Sequence, residues 1–504
     1  MKVKRDWNST AVSIQFSVFR QIVGPENSGK LYRLMALFVA LLVFAGCNSG
    51  KKQDDDGGGK SNKISKHDLK VVMYGNAELK SLIEGQWQSA GHEIELTVID
   101  ELDPDPEKQK AQISGQDVVI FPPSSLGDFV KREWIQPVDY RSLDNELLAV
   151  NDILRLQKRD LVQYDRDIWA TAMGSPVFCL VYRQDVMDAL GVDAPTTWEQ
   201  YLTIAKRLAD QTGKLKDKDG NVLPTKVLEP TAGKWASHLL MARTSSAVCQ
   251  RGRRSIEFAL TDANPLIGSP PFVKALENLK ACQDAHPQEP ATPNQIFESI
   301  AKGEAALAIT WPTSSVEFEE SISGLAVAPL PIWKERYDSM TKNWMTRDSE
   351  AEHPVLLGFD GRLASVVYGA INKESAEYFL AWIASPEIQQ RVWSRSPNCS
   401  LSRISQVRKP YAWCGTNSPR QVADDYATFV RESNESGLAM MSTRIPAANE
   451  YLAVLAQQTS RALKGEVEAA AALKQAAKEW DAITDKIGRD DQAKAYRASS
   501  GLGN

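Results

Sequence analysis
The chain has 504 residues, more than a single hydrophobic core ordinarily organises, so it must hold more than one lobe or domain. Hydrophobic residues make up 43% and charged residues 24%, the balance of an ordinary water-soluble protein. The 59 basic and 64 acidic side chains give a formal charge of −5 and are evenly mixed, without the basic stripe on which a nucleic-acid binder relies.

The first 33 residues are longer than the usual basic lead of a secretory signal. Gly24 to Lys30, GPENSGK, has the spacing of a phosphate-binding GxxxxGK. Leu31 stands where that motif needs Ser or Thr, and no amphipathic helix follows, so the match is read as chance. Leu34 to Gly46 carries no charge over 13 residues, behind Lys30 and Arg33. A membrane span needs about 20 apolar residues, whereas the apolar core of a signal peptide needs fewer. The run closes on Ala45 and Gly46 directly before Cys47, with Phe44 where Leu is usual. This ending resembles the lipobox of bacterial lipoproteins, which implies cleavage before Cys47 and a diacylglycerol on its thiol. An uncleaved anchor and a buried element are the alternatives. Residues 47–67 then read as a polar, glycine-rich tether with nothing to pack.

From Asp68 the pattern is strand, helix, strand, helix, strand: LKVVMYGN, AELKSLIEGQWQSAG, HEIELTVIDEL, PEKQKAQISG and QDVVIFPPSS. Alternation of this kind predicts a parallel or mostly parallel sheet, whose strand C-termini carry ligands. Tyr74 to Asn76 and Pro122 to Ser125 stand at two such ends. Asp144 to Asp165 is read as helical. An apolar strand follows from Val177 to Tyr182. Thr197 and Gln200 form a capping box before a helix that Gly213 ends. A further helix begins near Trp235. TPNQIFESIAKG is a helix, Ala305 to Thr310 a strand, and Trp311-Pro312 its end. A glycine-flanked turn, Gly358-Phe-Asp-Gly361, precedes an apolar run and then a helix with apolar residues near i, i+3, i+4 spacing. The Ala-rich tail after Met440-Met441, Ser442 to Gly488, is helical.

There are 6 cysteines and 5 scattered histidines, with no CxxC and no Cys/His cluster, so neither a histidine-rich metal site nor a cofactor is expected. Cys399 and Cys414 flank one polar, aromatic loop and are expected to bridge in an exported protein, with Cys179 a buried thiol.

The order of these segments resembles the extracellular solute-binding proteins of ABC importers, in particular the sugar-binding cluster that includes maltose-binding proteins. The likeness covers roughly Asp68 to Gly488. It is carried by DVVIFPPSS with REWIQPVD, by Phe297 to Pro312, by Gly358 to Trp382 and by Arg444 to Trp480. The resemblance implies an α/β fold of two lobes with a ligand cleft between them and a helical C-terminal region. Lobe 1 would comprise 68–170 and 313–398, and lobe 2 171–312 and 399–504. It implies no catalysis, a small solute such as a sugar as ligand, permease subunits as partners, and a monomer held extracytoplasmically by its lipid.

Sugars offer an apolar C–H face and a polyol rim, which aromatic walls and a few polar groups can match. The expected stackers are Trp235, Trp311 and Trp344, with Tyr74 and Phe359 behind them. Ser124, Ser125, Asp360 and Arg362 would supply polar contacts. Each Trp could instead be a core residue, and Asp360 and Arg362 could simply pair with each other. A secreted carbohydrate-active enzyme would need two suitably spaced carboxylates, and no motif singles out such a pair. The GxSxG of serine hydrolases is absent. A structural or sensory protein of the same fold, with its cleft filled by side chains, is the other alternative. Cys47→Ser is expected to abolish lipidation. Labelling with a radioactive fatty acid measures this, and label retained on the serine variant would overturn the lipoprotein reading.

Overall fold
The computed structural model describes residues 68–502 apart from 104, 251–255, 315, 319–321, 323, 348–351 and 416–417. The expected signal segment, Cys47 and the tether lie outside the described residues.

The first lobe is built on a five-stranded mixed sheet. In β1 (Leu69–Tyr74) every residue but Lys70 is buried, the continuous apolar run of a strand covered on both faces. Helix α1 (Lys80–Ser89) turns Ile83 and Trp87 onto the sheet and leads to β2 (Ile94–Ile99). Helix α2 (Pro106–Ile113) starts on the Asp105 cap with proline in its first turn, and β3 (Val118–Phe121) follows, wholly buried. Both β2 and β3 run parallel to β1. After β3 come the tight turn Pro123–Ser125 and α3 (Leu126–Lys131).

The helix expected over 144–165 is broken into short turns at Asn145–Leu148, Val150–Asp152 and Leu156–Asp160. Ala149 takes φ 50°, and the Leu154 amide donates to the Ser402 carbonyl rather than along a helix. Tertiary pairing with a distant loop outweighs the local helical pattern here. The sheet's last segment before the chain leaves is β4 (Thr171–Ala172).

The second lobe begins with β5 (Cys179–Arg183) and α4 (Trp198–Asp210), whose Thr197–Gln200 capping box forms as expected. It continues through β6 (Val227–Leu228), α5 (Trp235–Val248), α6 (Pro270–Ala285), α7 (Pro293–Ala301), β7 (Leu307–Thr310) and β8 (Leu325–Pro329). The strand order is β8-β5-β7-β6, with β7 and β8 antiparallel to β5 and β6 parallel to β7. All 14 residues of α5 are buried, which explains why that helix shows no amphipathic stripe.

The expected boundary at 312/313 needs correction. Leu325–Pro329 pairs with Arg183–Cys179, so the chain stays in the second sheet through Pro329. Its apolar residues cover the otherwise unpaired edge of β5. A two-stranded hairpin, β9 (Glu335–Asp338) with β10 (Asn343–Thr346), and β11 (Val355–Leu357) come next. Then β12 (Leu363–Val366) returns to the first sheet between β3 and β4, antiparallel to both. Helices α8 (Lys373–Ile383) and α9 (Pro386–Arg391) follow, and α10 (Arg420–Ser436) packs on β8. Strand β13 (Ala439–Met441) pairs parallel with β11. The tail forms α11 (Ala448–Leu463), α12 (Ala469–Ile487) and α13 (Arg489–Ser499), with α11 lying against α5 and α12. The chain therefore crosses between the sheets three times, after β4, between β8 and β12, and after α9.

The expected Cys399–Cys414 bridge is absent: both are separate buried thiols, like Cys179 and Cys282. The intervening loop coils into two helical turns, Ile404–Arg408 and Pro410–Cys414. These carry Cys414 towards Cys179, while Cys399 stays beside Ser396 and Arg362. Burial pushes both loop thiols up to about 12, which suppresses the thiolate needed for exchange. In a non-reduced digest of denatured protein, both are expected to be alkylated. A linked Cys399–Cys414 peptide would overturn that.

Candidate functional site
The three crossings meet at one place, and close backbone contact brings them there. Gly361 has φ 116°, and a Cβ on it would lie 2.6 Å from the Gly174 carbonyl oxygen. Gly174 has φ 111°, and its own Cβ would lie 2.3 Å from the Ser400 carbonyl oxygen. Only glycine permits both the conformation and the approach. The segments 172–178, 358–363 and 396–400 thus lie backbone on backbone at the lobe junction.

Asp360 is set at this point with its side chain fully buried. Its carboxylate accepts from Asn398 Nδ2 at 2.7 Å and lies 3.4 Å from Arg362 Nη1 and 3.9 Å from Lys234 Nζ. Its carbonyl accepts from the Ser175 hydroxyl at 2.7 Å. Arg362 donates through Nε to the Tyr74 carbonyl at 3.1 Å and through Nη1 to the Gly361 carbonyl at 2.7 Å. Asn76, at φ 58° just beyond β1, donates to Ser396 Oγ at 2.9 Å and Asn398 Oδ1 at 3.1 Å. Asn76 Oδ1 and Ser125 Oγ are buried with no protein partner.

Beside this polar group stands an aromatic cluster drawn from both lobes. Phe178, entering β5, stacks on Phe359 with centroids 4.5 Å apart and planes within 4°. Trp311, at the end of β7, meets both edge-on at 5.4 and 5.7 Å and donates Nε1 to the Pro397 carbonyl at 3.2 Å. Trp235, at the start of α5, is 5.7 Å from Trp311 and carries the Lys234 ammonium 4.9 Å over its ring. His238 lies 5.7 Å from Phe359, and burial drives its pKa down to about 3, so the imidazole is neutral at ordinary pH.

Of the expected residues, Trp235, Trp311, Phe359, Asp360 and Arg362 are brought together. Tyr74 contributes only its carbonyl, since its hydroxyl turns to Gln112 in α2. Ser124 and Ser125 sit in the turn after β3, whose Pro123 borders Gly358. Trp344 is elsewhere: it lies on the β9–β10 hairpin, packed on Tyr337 at 5.3 Å with Lys274 4.8 Å over its ring. The hairpin carries it away from the junction, which a linear pattern cannot reveal. Sequence reasoning missed Phe178, His238, Asn398 and Ser396. His238 had a local signal, being three residues after Trp235 on one helix face; the other three depend on the crossings. Among the described residues no cluster of three or more His, Cys, Asp or Glu could hold a metal ion.

The model of the bacterial extracellular solute-binding protein family matches residues 74–390. This chain belongs to that family. As a solute-binding protein it is an extracytoplasmic binding protein of the ABC-transport type, not a catalyst. A search of curated proteins gives no match. Among solved structures, a solute-binding protein from Agrobacterium radiobacter K84 in complex with ribitol aligns with TM-score 0.62 at 20% identity, covering 83% of this chain and 99% of that one. Maltose-bound MalE3 of T. maritima aligns with TM-score 0.61 at 16% identity, covering 82% and 100%. A protein from Thermotoga lettingae bound to α-D-tagatose aligns with TM-score 0.57 at 16% identity, covering 82% and 99%. These likenesses establish the two-lobed periplasmic-binding-protein fold.

Trp311, an expected stacker, is only 2% exposed, because Phe178, Phe359 and Trp235 close around it. Trp311→Ala is therefore expected to lose about 3–5 kcal/mol of stability, the cost of truncating a buried Trp. Denaturant unfolding without ligand measures this, and an unchanged midpoint would return Trp311 to an open cleft wall.

Proposed function
We propose that this solute-binding protein captures a small polyhydroxylated solute, a sugar or sugar alcohol, between its lobes and delivers it to an ABC permease. In this reading the protein is a monomer tethered to the membrane through a lipid on Cys47. The observation that carries it is the pairing, at one junction, of aromatic faces from both lobes with the Asp360–Asn398–Lys234 polar group. Rings match the C–H face of such a solute, and fixed polar groups match its hydroxyls. The unpartnered Asn76 Oδ1 and Ser125 Oγ, at the ends of β1 and β3, add two positions for hydroxyl contacts. Ribitol, maltose and tagatose, named for three structural neighbours, all belong to this ligand class.

A second reading rests on the same rings. They already pack against each other, as in a structural or sensory member of the fold with a filled junction. Calorimetry with ribitol, mannitol, tagatose and maltose separates the two. Saturable binding of at least one is expected, and Trp235→Ala should weaken it about tenfold to a hundredfold, a loss of ~1–3 kcal/mol. Failure of the whole panel would favour the filled junction.

A further inference from the structure
A cavity of about 390 Å³ has none of the four rings of the aromatic junction in its wall, although one wall residue, Met441, reaches Gly358 beside Phe359. Its wall includes Cys249, at the far end of α5 from Trp235. Fourteen helical residues separate the two ends by ~20 Å. The wall is assembled from both sides of the hinge. Arg155, Arg159 and Asp160 come from the segment before β4, Glu257 from the second lobe, and Ser442 and Arg444 from the stretch after β13.

The polar atoms here are unusual in what they lack. Arg444 is buried and pinned, its Nη1 donating to the Asp160 and Leu161 carbonyls at 2.9 and 2.8 Å and its Nη2 to the Ser499 carbonyl at 2.6 Å. Its Nε has no partner, nor do the buried Ser442 Oγ and Asp160 Oδ2. A buried polar atom left unpaired costs ~1–3 kcal/mol, so three lining one cavity point to something that satisfies them. Burial pushes the Glu257 carboxyl up to about 8, which keeps it protonated at neutral pH. Among the described residues of the wall, three guanidiniums then accompany one carboxylate, Asp160. Arg155 and Arg159 have no ion pair with any described carboxylate.

We propose that this hinge cavity is a second ligand site, for a small hydroxylated molecule carrying one oxyanion group, phosphate or carboxylate. The guanidiniums at the mouth and floor take the oxyanion, and Ser442, Asp160 and Glu257 take hydroxyls. Because the wall spans the hinge, occupancy favours one lobe arrangement over another and couples reciprocally to whatever binds at the aromatic junction. The proposal is independent of which solute that junction takes.

The test is calorimetry on the full chain in detergent at pH 7 and low salt, with sn-glycerol 3-phosphate, glycerate and, as neutral control, glycerol. One-to-one saturable binding of at least one anion is expected, with no binding of glycerol; which anion binds distinguishes phosphate from carboxylate. The Arg155→Ala/Arg159→Ala double variant alters exposed side chains and should fold normally, yet raise Kd at least tenfold. Ser442→Val should also weaken binding. Absence of binding by both anions, or equal affinity in the double variant, would overturn the proposal.

Discussion
The buried carboxylate of Asp360 is the contact on which the arrangement of the lobes depends. A charge removed from water is tolerated only with partners close at hand. Asp360 draws these from three directions: Arg362 from the start of β12, Asn398 from the crossing after α9, and Lys234 from the second lobe. Arg362 in turn is held by the Tyr74 carbonyl at the end of β1. One side chain thereby ties the first sheet, a hinge segment and the opposite lobe. The glycine contacts of Gly361 and Gly174 make room for it, since any side chain at either position would force the crossings apart.

The aromatic cluster follows from the same constraint. Beside the anchored Asp360, Phe359 meets Phe178 of the second lobe face to face. Trp311 and Trp235 complete the cluster from the ends of β7 and the start of α5. A junction of this kind combines shape and polarity in the way a polyol demands. It also gives the two lobes a reason to stay together, because separating them would return Phe359 and the ring faces it covers to water.

The site was partly legible before folding. Strand ends in a parallel sheet are predictable ligand positions, and that rule led to the turn after β3 and the region of Asn76. The glycine-flanked turn around Phe359, Asp360 and Arg362 and the Trp-Pro at the end of β7 were visible as local patterns. Trp344 misled because an aromatic beside polar residues looks the same on a remote hairpin as on a cleft wall. Phe178 gave no signal, since a phenylalanine opening an apolar strand reads as core. Asn398 stands just before the polar, aromatic loop from Cys399 to Cys414, but its partner, Asp360, is 38 residues away.

By itself the sequence determined the elements whose causes are local. The capping box at Thr197, the buried run of β1, the αL glycine after α7 and the alternation of strands and helices depend on neighbours within a few residues, so the chain states them directly. Only the tertiary structure decided matters of long-range pairing. It broke the helix over 144–165 by giving Leu154 a partner at Ser402, and it kept Leu325–Pro329 in the second sheet by pairing it with β5. It also coiled the loop between Cys399 and Cys414 so that neither thiol faces the other. These outcomes turn on which distant backbone or side chain offers the better partner, and proximity of that kind exists only after the chain has folded.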